Sequence, residues 1–357
     1  MSVTKVSSAM QDLTDDYAFS GTVSGAGAPS HRNDIINGGY VTSQENDTAA
    51  VDDDYSIGDL FLHVGEAAVT TSLQTSGGPQ GGRNFARINI DTANKQSGWV
   101  YFLTNADCQD YIANGKMSFG IKIKTTSAAI DTVRIGLLKW TGTADSVTSD
   151  VVATWAQDGT NPTLATSWSY ENTPADVNLT TSWARHTVED VTVDSDTNNL
   201  ACFVWIDDGT IAQNDQLDVS EWQLNPGSTV NAFSSPLRVD VEYQIQYFYE
   251  TTYNRGTTPG TGSSPQGAWT LTAGQSNNEI SGIPFKTRKR VPPTIVVYGY
   301  DGTAGKIWGY NGSTNMANHT FVFGWMGQAG QGATYSTGTA LTTGYLYSCH
   351  YVADARM

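Results

Sequence analysis

Residues 182–228 carry the clearest pattern of apolar and polar positions in the chain. Thr187–Val193 is rich in β-branched residues, and Leu200–Ile206 is an almost unbroken apolar run. A short apolar run bounded by polar turns predicts a strand buried on both faces. Leu217 and Val219 then alternate with Asp218 and Ser220, but Trp222 and Leu224 fall on the opposite parity. A period-two pattern changes phase only through a bulge or through burial on both sides. The stretch therefore predicts an inner strand of a two-sheet sandwich, kinked near Ser220.

The same signals recur from Ile35 to Phe233. Strands are predicted at Ile35–Thr42, Leu60–Val64, Ala68–Leu73, Phe85–Ile90, Trp99–Leu103, Lys116–Thr125, Val133–Trp140, Val151–Trp155, Trp168–Glu171, Arg185–Val193, Leu200–Ile206 and Leu217–Leu224, with Gly-, Asn- and Asp-rich turns between them. Lys116–Thr125 alternates cleanly: Met117, Phe119, Ile121 and Ile123 on one face, Ser118, Lys122 and Lys124 on the other. No segment sustains a helical period, so the economical fold is all-β, a jelly-roll sandwich. In 237–253 the apolar residues Val239, Val241, Tyr243, Ile245, Tyr247 and Tyr249 hold odd positions, which predicts a strand. A turn-rich connector, 255–267, leads to short strands at Glu279–Phe285, Thr294–Tyr300, Lys306–Tyr310, Thr320–Met326 and Leu341–Tyr351. The expected organisation is an N-terminal connecting segment (1–32), a jelly roll (33–236) and a smaller β-rich tip (237–357).

Several of these segments resemble a known architecture. WARHTVEDVTV, LACFVWIDDG and LDVSEWQLNPGSTVNAF, in that order, resemble the closing strands of the carbohydrate-binding-module-like jelly roll in bacteriophage tail fibres. IINGGYVTSQ is similar to the first strand of that jelly roll. IPFKTRKRVPPTIVVYGY and the terminal YVADARM resemble the fibre-tip domain, and DLTDDYAFSGTVSG resembles the shaft sequences that precede it. The resemblance implies a virion structural protein, a homotrimer, that binds bacterial surface glycans during adsorption. Its N-terminal segment would dock to other virion proteins, and a structural Ca²⁺ would be held by carboxylates and carbonyls, the oxygen ligands of a hard ion. The resemblance also implies a short helix at 237–253, against the local alternation. Two other classes stay open: a capsid-decoration or collar protein without glycan affinity, and a carbohydrate-binding module or enzyme of a polysaccharide-degrading system.

Charge and composition narrow the function classes. A net charge of -16 argues against nucleic acid, whose binding needs basic surface to displace counterions, and against anionic membranes. Three cysteines without CxxC spacing offer neither a disulfide framework nor a zinc site. The first residues, MSVTKVSSAMQDL, lack an apolar signal core, and no apolar run is long enough to span a bilayer. The expected location is the virion, after assembly in a host cytoplasm, with no membrane insertion. HExxH, GxSxG and phosphate-binding Gly-rich loops are absent from the sequence, so a non-enzyme is expected.

Aromatic residues beside turn residues are the informative candidates, because Trp and Tyr rings stack on the C–H faces of sugars while Asn, Asp and Gln fix hydroxyls. In the tip these are Tyr298, Tyr300, Trp308, Tyr310 and Asn311, with Asn315, Asn318 and Gln328 nearby. Trp155, Trp168 and Tyr170 are the second group, in the jelly roll. Asp52, Asp53, Asp54 and Asp207 are the candidate Ca²⁺ ligands, although VDDDY and DDGT are also ordinary turn sequences.

Overall fold

The computed structural model describes residues 33–45, 49–55, 57–79, 83–127, 130–156, 158–207, 209–234, 236–262, 268–272, 279–310, 315–337, 341–342 and 344–357. The expected connecting segment, 1–32, lies outside them. The protein is all-β, and its larger part is a jelly-roll sandwich. One sheet runs in the order Ala49–Ala50, Val69–Gln74, Phe85–Ile90, Gln216–Pro226, Lys116–Thr125, Ala184–Thr192. The facing sheet runs Trp168–Tyr170, Thr132–Trp140, Asn199–Ile206, Ser97–Leu103, Phe61–Gly65, Asp54–Tyr55.

Every residue of Asn199–Ile206 is buried, and the sheet shows why. Leu200, Cys202, Val204 and Ile206 face the core between the sheets. Ala201, Phe203 and Trp205 face a second apolar layer, where Trp140, Val151, Val152 and Trp168 cover the outside of the sheet. The predicted phase switch is a bulge. The strand Gln216–Pro226 lies between two neighbours, and its register shifts between Ser220 and Gln223, with Glu221 at φ 53°. The extra residue lets Leu217, Val219, Trp222 and Leu224 all enter the core.

The segment Ile35–Thr42 is not a strand but a series of turns, with Asn37 and Tyr40 at positive φ. Its task is to cover the bulge. The Asn33 side chain donates to Trp222 O (2.8 Å) and accepts from Leu224 N (3.1 Å). Gly38 approaches so closely that a Cβ there would stand 2.2 Å from Trp222 O.

Two helices correct the sequence reading. α1, Asn105–Asn114, joins the strand Ser97–Leu103 to Lys116–Thr125. Thr104 caps it, accepting from Asp107 N and donating to the Asp107 carboxylate, and Gly115 ends it at φ 70°. α2, Arg238–Phe248, replaces the strand predicted at 237–253, of which only Tyr249–Thr251 is extended. Val241 and Ile245 are one helical turn apart and both buried in the sandwich core, whereas Val239 and Tyr243 are 66% and 64% exposed. Odd-numbered apolar residues contain an i, i+4 pair as readily as a strand face, and packing selects the helix.

The remaining chain forms a third sheet in the order Tyr249–Thr251, Leu346–Asp354, Lys306–Tyr310, Asn315–Met326, Gln331–Thr337, Glu279–Ser281. Its long strand Leu346–Asp354 also pairs with Trp269–Thr272 and Thr294–Tyr298. Arg356, just beyond that strand, ties this sheet to the sandwich through Glu45 (2.5 Å) and the Asp59 carbonyl (2.9 Å).

Asp59 itself is fully buried, and its carboxylate accepts the N–H groups of Gln44 and Glu45 at 2.7–2.9 Å. Burial outweighs those hydrogen bonds and the nearby Arg356, and pushes the carboxyl up to about 7. Between the ordinary carboxylate range and pH 7 the folded state thus holds a proton that the unfolded state has lost. Stability from this group is full at low pH and is lost as pH rises towards 7. Asp59 sits at φ 68°, a conformation asparagine tolerates. Asp59→Asn should therefore fold, and its urea midpoint should gain on wild type between pH 4.5 and 7.5, by about 1–3 kcal/mol in stability. Parallel midpoint curves for the two proteins would refute this assignment.

Candidate functional site

The strand Lys306–Tyr310 alternates. Ile307 is buried in the cluster that holds Tyr347, while Lys306, Trp308 and Tyr310 are half-buried on the other face. The Trp308 and Tyr310 ring planes lie within 7° of each other, with centroids 6.1 Å apart. Tyr300, from the turn that precedes the strand, stands 4.5 Å from Trp308 at a tilt of 35°. The turn is held by Gly302 N donating to Gly299 O (3.0 Å) and Thr303 N to the Asp301 carboxylate (2.9 Å). Gly302 has φ 82°, and a Cβ there would lie 1.9 Å from Gly260 O, so no other residue fits. Three candidates thus join in one aromatic row, Tyr300–Trp308–Tyr310. The backbone register sets Asn318 opposite Trp308 and Asn315 opposite Tyr310. Asn311 lies outside the described residues. Two nearly parallel rings with a third tilted beside them suit the apolar faces of a saccharide.

The other candidates are not part of this row. Tyr298 packs edge-on against Tyr253 (6.0 Å), which stacks on His350 (4.1 Å). Gln328 accepts from the Arg288 guanidinium and donates to Arg290 O, so its amide serves the backbone around it. Trp168 is only 6% exposed, stacked on Phe102 and tilted against Trp140. Tyr170 leans on Trp205 and donates its hydroxyl to Pro162 O (3.0 Å). Trp155 rests against Phe203 at 6.1 Å and is half-buried.

The candidate calcium ligands have other partners. Asp52 accepts from Gly65 N at the end of the strand Phe61–Gly65, and Asp54 accepts from Val51 N as a turn carboxylate. Asp207 is buried against Arg134 at 2.6 Å. Among the described residues, no group of three or more His, Cys, Asp or Glu side chains is arranged to hold a metal ion.

The outer face of the six-stranded sheet holds residues that the sequence did not mark together. Asp218 meets Arg87 (2.7 Å) and Lys124 (3.4 Å), and Glu221 meets Arg83 (3.1 Å) and Lys122 (3.4 Å). The Lys124 ammonium lies over the rings of Phe85 and Trp183, and Trp183 donates to Gly77 O (3.0 Å). The chain after Pro226 folds back over the same face: Asn231 N donates to Asn225, and Val230 N to Glu189. Both carboxylates are therefore buried and paired, while Arg83 and Arg87 keep 31% and 27% of their side-chain surface exposed.

No family model and no curated protein matches the chain. Among solved structures it is similar to TmCBM61 in complex with β-1,4-galactotriose, with 13% identity and a TM-score of 0.31 over 55% of this chain and 99% of that one. It is also similar to the family 22 carbohydrate-binding module of Clostridium thermocellum Xyn10B, with 13% identity and a TM-score of 0.31 over 48% of this chain and 89% of that one. The enzymatically active domain of bacteriophage CBA120 tailspike protein 4 is a further match, with 10% identity and a TM-score of 0.32, and the match covers 54% of this chain and 21% of that one. At these values the likeness assigns neither a ligand nor an activity to this chain.

Proposed function

We propose that this protein is a structural component of a bacteriophage fibre that holds host cell-surface glycans without covalent chemistry. The observation that carries the reading is the row Tyr300–Trp308–Tyr310, three half-buried rings fixed by a rigid turn and a paired strand. The fibre-like segments WARHTVEDVTV and YVADARM support the virion role. A homotrimer would present three such rows about one axis and multiply weak contacts through effective concentration.

The test joins native mass with adsorption. The purified chain should be trimeric and should block phage adsorption to host cells. Trp308→Ala should weaken that competition at least tenfold, a loss of about 1.4 kcal/mol. The backbone partners of the strand stay in place in this variant, so a matching melting curve separates lost binding from lost fold. A monomer that does not compete, or a Trp308→Ala protein that competes as well as wild type, would overturn the proposal. Turnover of a polysaccharide would overturn its non-covalent part.

A further inference from the structure

The loop end of the sandwich holds a cavity of about 480 Å³, lined by none of the residues of the aromatic row. Four separate connections build it. Glu66 follows the strand Phe61–Gly65, Asn94 and Gln96 precede Ser97–Leu103, Trp155 and Asp158 follow Val152–Thr154, and Gly209 follows Asn199–Ile206. Antiparallel pairing brings these ends together, since Gly65 stands opposite Ser97 and Trp205 opposite Gly98.

From this constellation we infer a second saccharide site, one that takes a single neutral hexopyranose unit. The inference rests on the reading of the protein as a glycan binder and adds a place and a ligand class to it. Trp155 supplies the ring face: Phe203 supports it from behind, and it borders the cavity. Gln96 lines the cavity, and its Oε1 is buried with no hydrogen-bond partner among the described residues. A buried acceptor left unpaired is destabilising, and a ligand hydroxyl would satisfy it. Its backbone is already engaged, Gln96 N donating to the Glu66 carboxylate at 3.0 Å and Gln96 O accepting from Glu66 N at 3.0 Å. The amide is therefore positioned by the backbone and free at its tip.

Charge sets the ligand class. The described lining residues include two carboxylates, two amides and no cation; Lys95, just outside the lining, stands 3.8 Å from Glu66 and leaves Asp158 as the carboxylate without a lysine beside it. Carboxylates accept sugar hydroxyls in charge-assisted hydrogen bonds, and they repel a uronate or a phosphate. A volume of 480 Å³ lies in the range of small-ligand sites, and a lining built from four short connections, not along a sheet face, favours a short or terminal sugar unit over the middle of a long chain.

The test titrates the full 357-residue chain with galactose, glucose and N-acetylglucosamine, with methyl glucuronide as the anionic control, by calorimetry and saturation-transfer NMR. Wild type is compared with Trp155→Ala, Gln96→Leu and Trp308→Ala. Gln96→Leu keeps the side-chain volume and removes an unpartnered acceptor, so it serves if Trp155→Ala unfolds. The expected result is that at least one neutral sugar binds wild type and Trp308→Ala alike, and binds Gln96→Leu and Trp155→Ala at least tenfold more weakly. The glucuronide should bind at least tenfold more weakly than glucose. Neutral-sugar binding that survives in Gln96→Leu and Trp155→Ala overturns the site, as does an anionic sugar that binds best. Loss confined to Trp308→Ala overturns this site and leaves the aromatic row standing, whereas failure of the row shows separately, as a Trp308→Ala protein that competes for adsorption as well as wild type.

Discussion

Lys289→Met is expected to destabilise the protein by about 3–5 kcal/mol, because it strands a buried carboxylate. The side chains of Lys289 and Glu250 are both fully buried and meet at 2.6 Å. The ammonium also donates to Gln246 O, and burial holds the Lys289 pKa below the usual lysine range against the pull of Glu250. Glu250 in turn accepts from the Tyr351 hydroxyl (2.6 Å) and from Lys286 N (3.1 Å). Each partner is tolerated inside only because the other neutralises it. The double variant Lys289→Met/Glu250→Gln should therefore recover most of the loss, since no charge remains to desolvate. Urea midpoints of the wild type, the two single variants and the double variant decide the matter. Additive losses in the double variant would show that the pair is not coupled.

The second large effect is expected at Arg356. Its guanidinium lies between the rings of Tyr55 (4.0 Å) and Tyr249 (4.2 Å) and pairs with Asp354 (2.6 Å) and Glu45 (2.5 Å). The burial of this group is nearly complete, at 7% side-chain exposure. Arg356→Ala should lower stability by about 3 kcal/mol or more, since it removes one partner of buried pairs together with two cation–ring contacts. Arg356→Lys should restore only a small part, because an ammonium lacks the planar fork that reaches both carboxylates while stacking between rings. Guanidinium unfolding curves of the three proteins measure this. Full recovery in Arg356→Lys would mean that charge alone, not the stacked geometry, holds the C-terminus.

Much of the fold was legible in residue order. The alternation of Met117, Phe119, Ile121 and Ile123, the apolar run Leu200–Ile206 and the parity switch after Ser220 all appear in the structure as a core-facing strand, a doubly buried strand and a bulge. α1 has local signals too: Thr104 caps it through the Asp107 N–H, Cys108 and Tyr111 lie on one helical face, and Gly115 stops the helix. Its single turn of buried positions is too short for periodicity to reveal. The candidate row was readable in part, since Trp308 and Tyr310 share parity, but nothing in the sequence brings Tyr300 to Trp308. That approach depends on how the turn at Gly302 packs against Gly260.

Local pattern determines strand and turn here because backbone preference and the side-chain period act over a few residues, and neither needs a distant partner. Which side chains meet is a different matter. Trp168 and Trp155 look equivalent in the sequence, yet one packs against two rings in an apolar layer and the other borders a cavity. The odd-numbered apolar residues of 239–249 were compatible with strand and helix alike, and burial of Val241 and Ile245 in the sandwich core selected the helix. Gln96 and Trp155 come to line one cavity, and Arg356 finds Glu45, only after the sheets have paired, because these groups lie on segments far apart in the chain. Only the folded chain repays the entropy of closing such long loops, so sites made from them emerge with the tertiary structure.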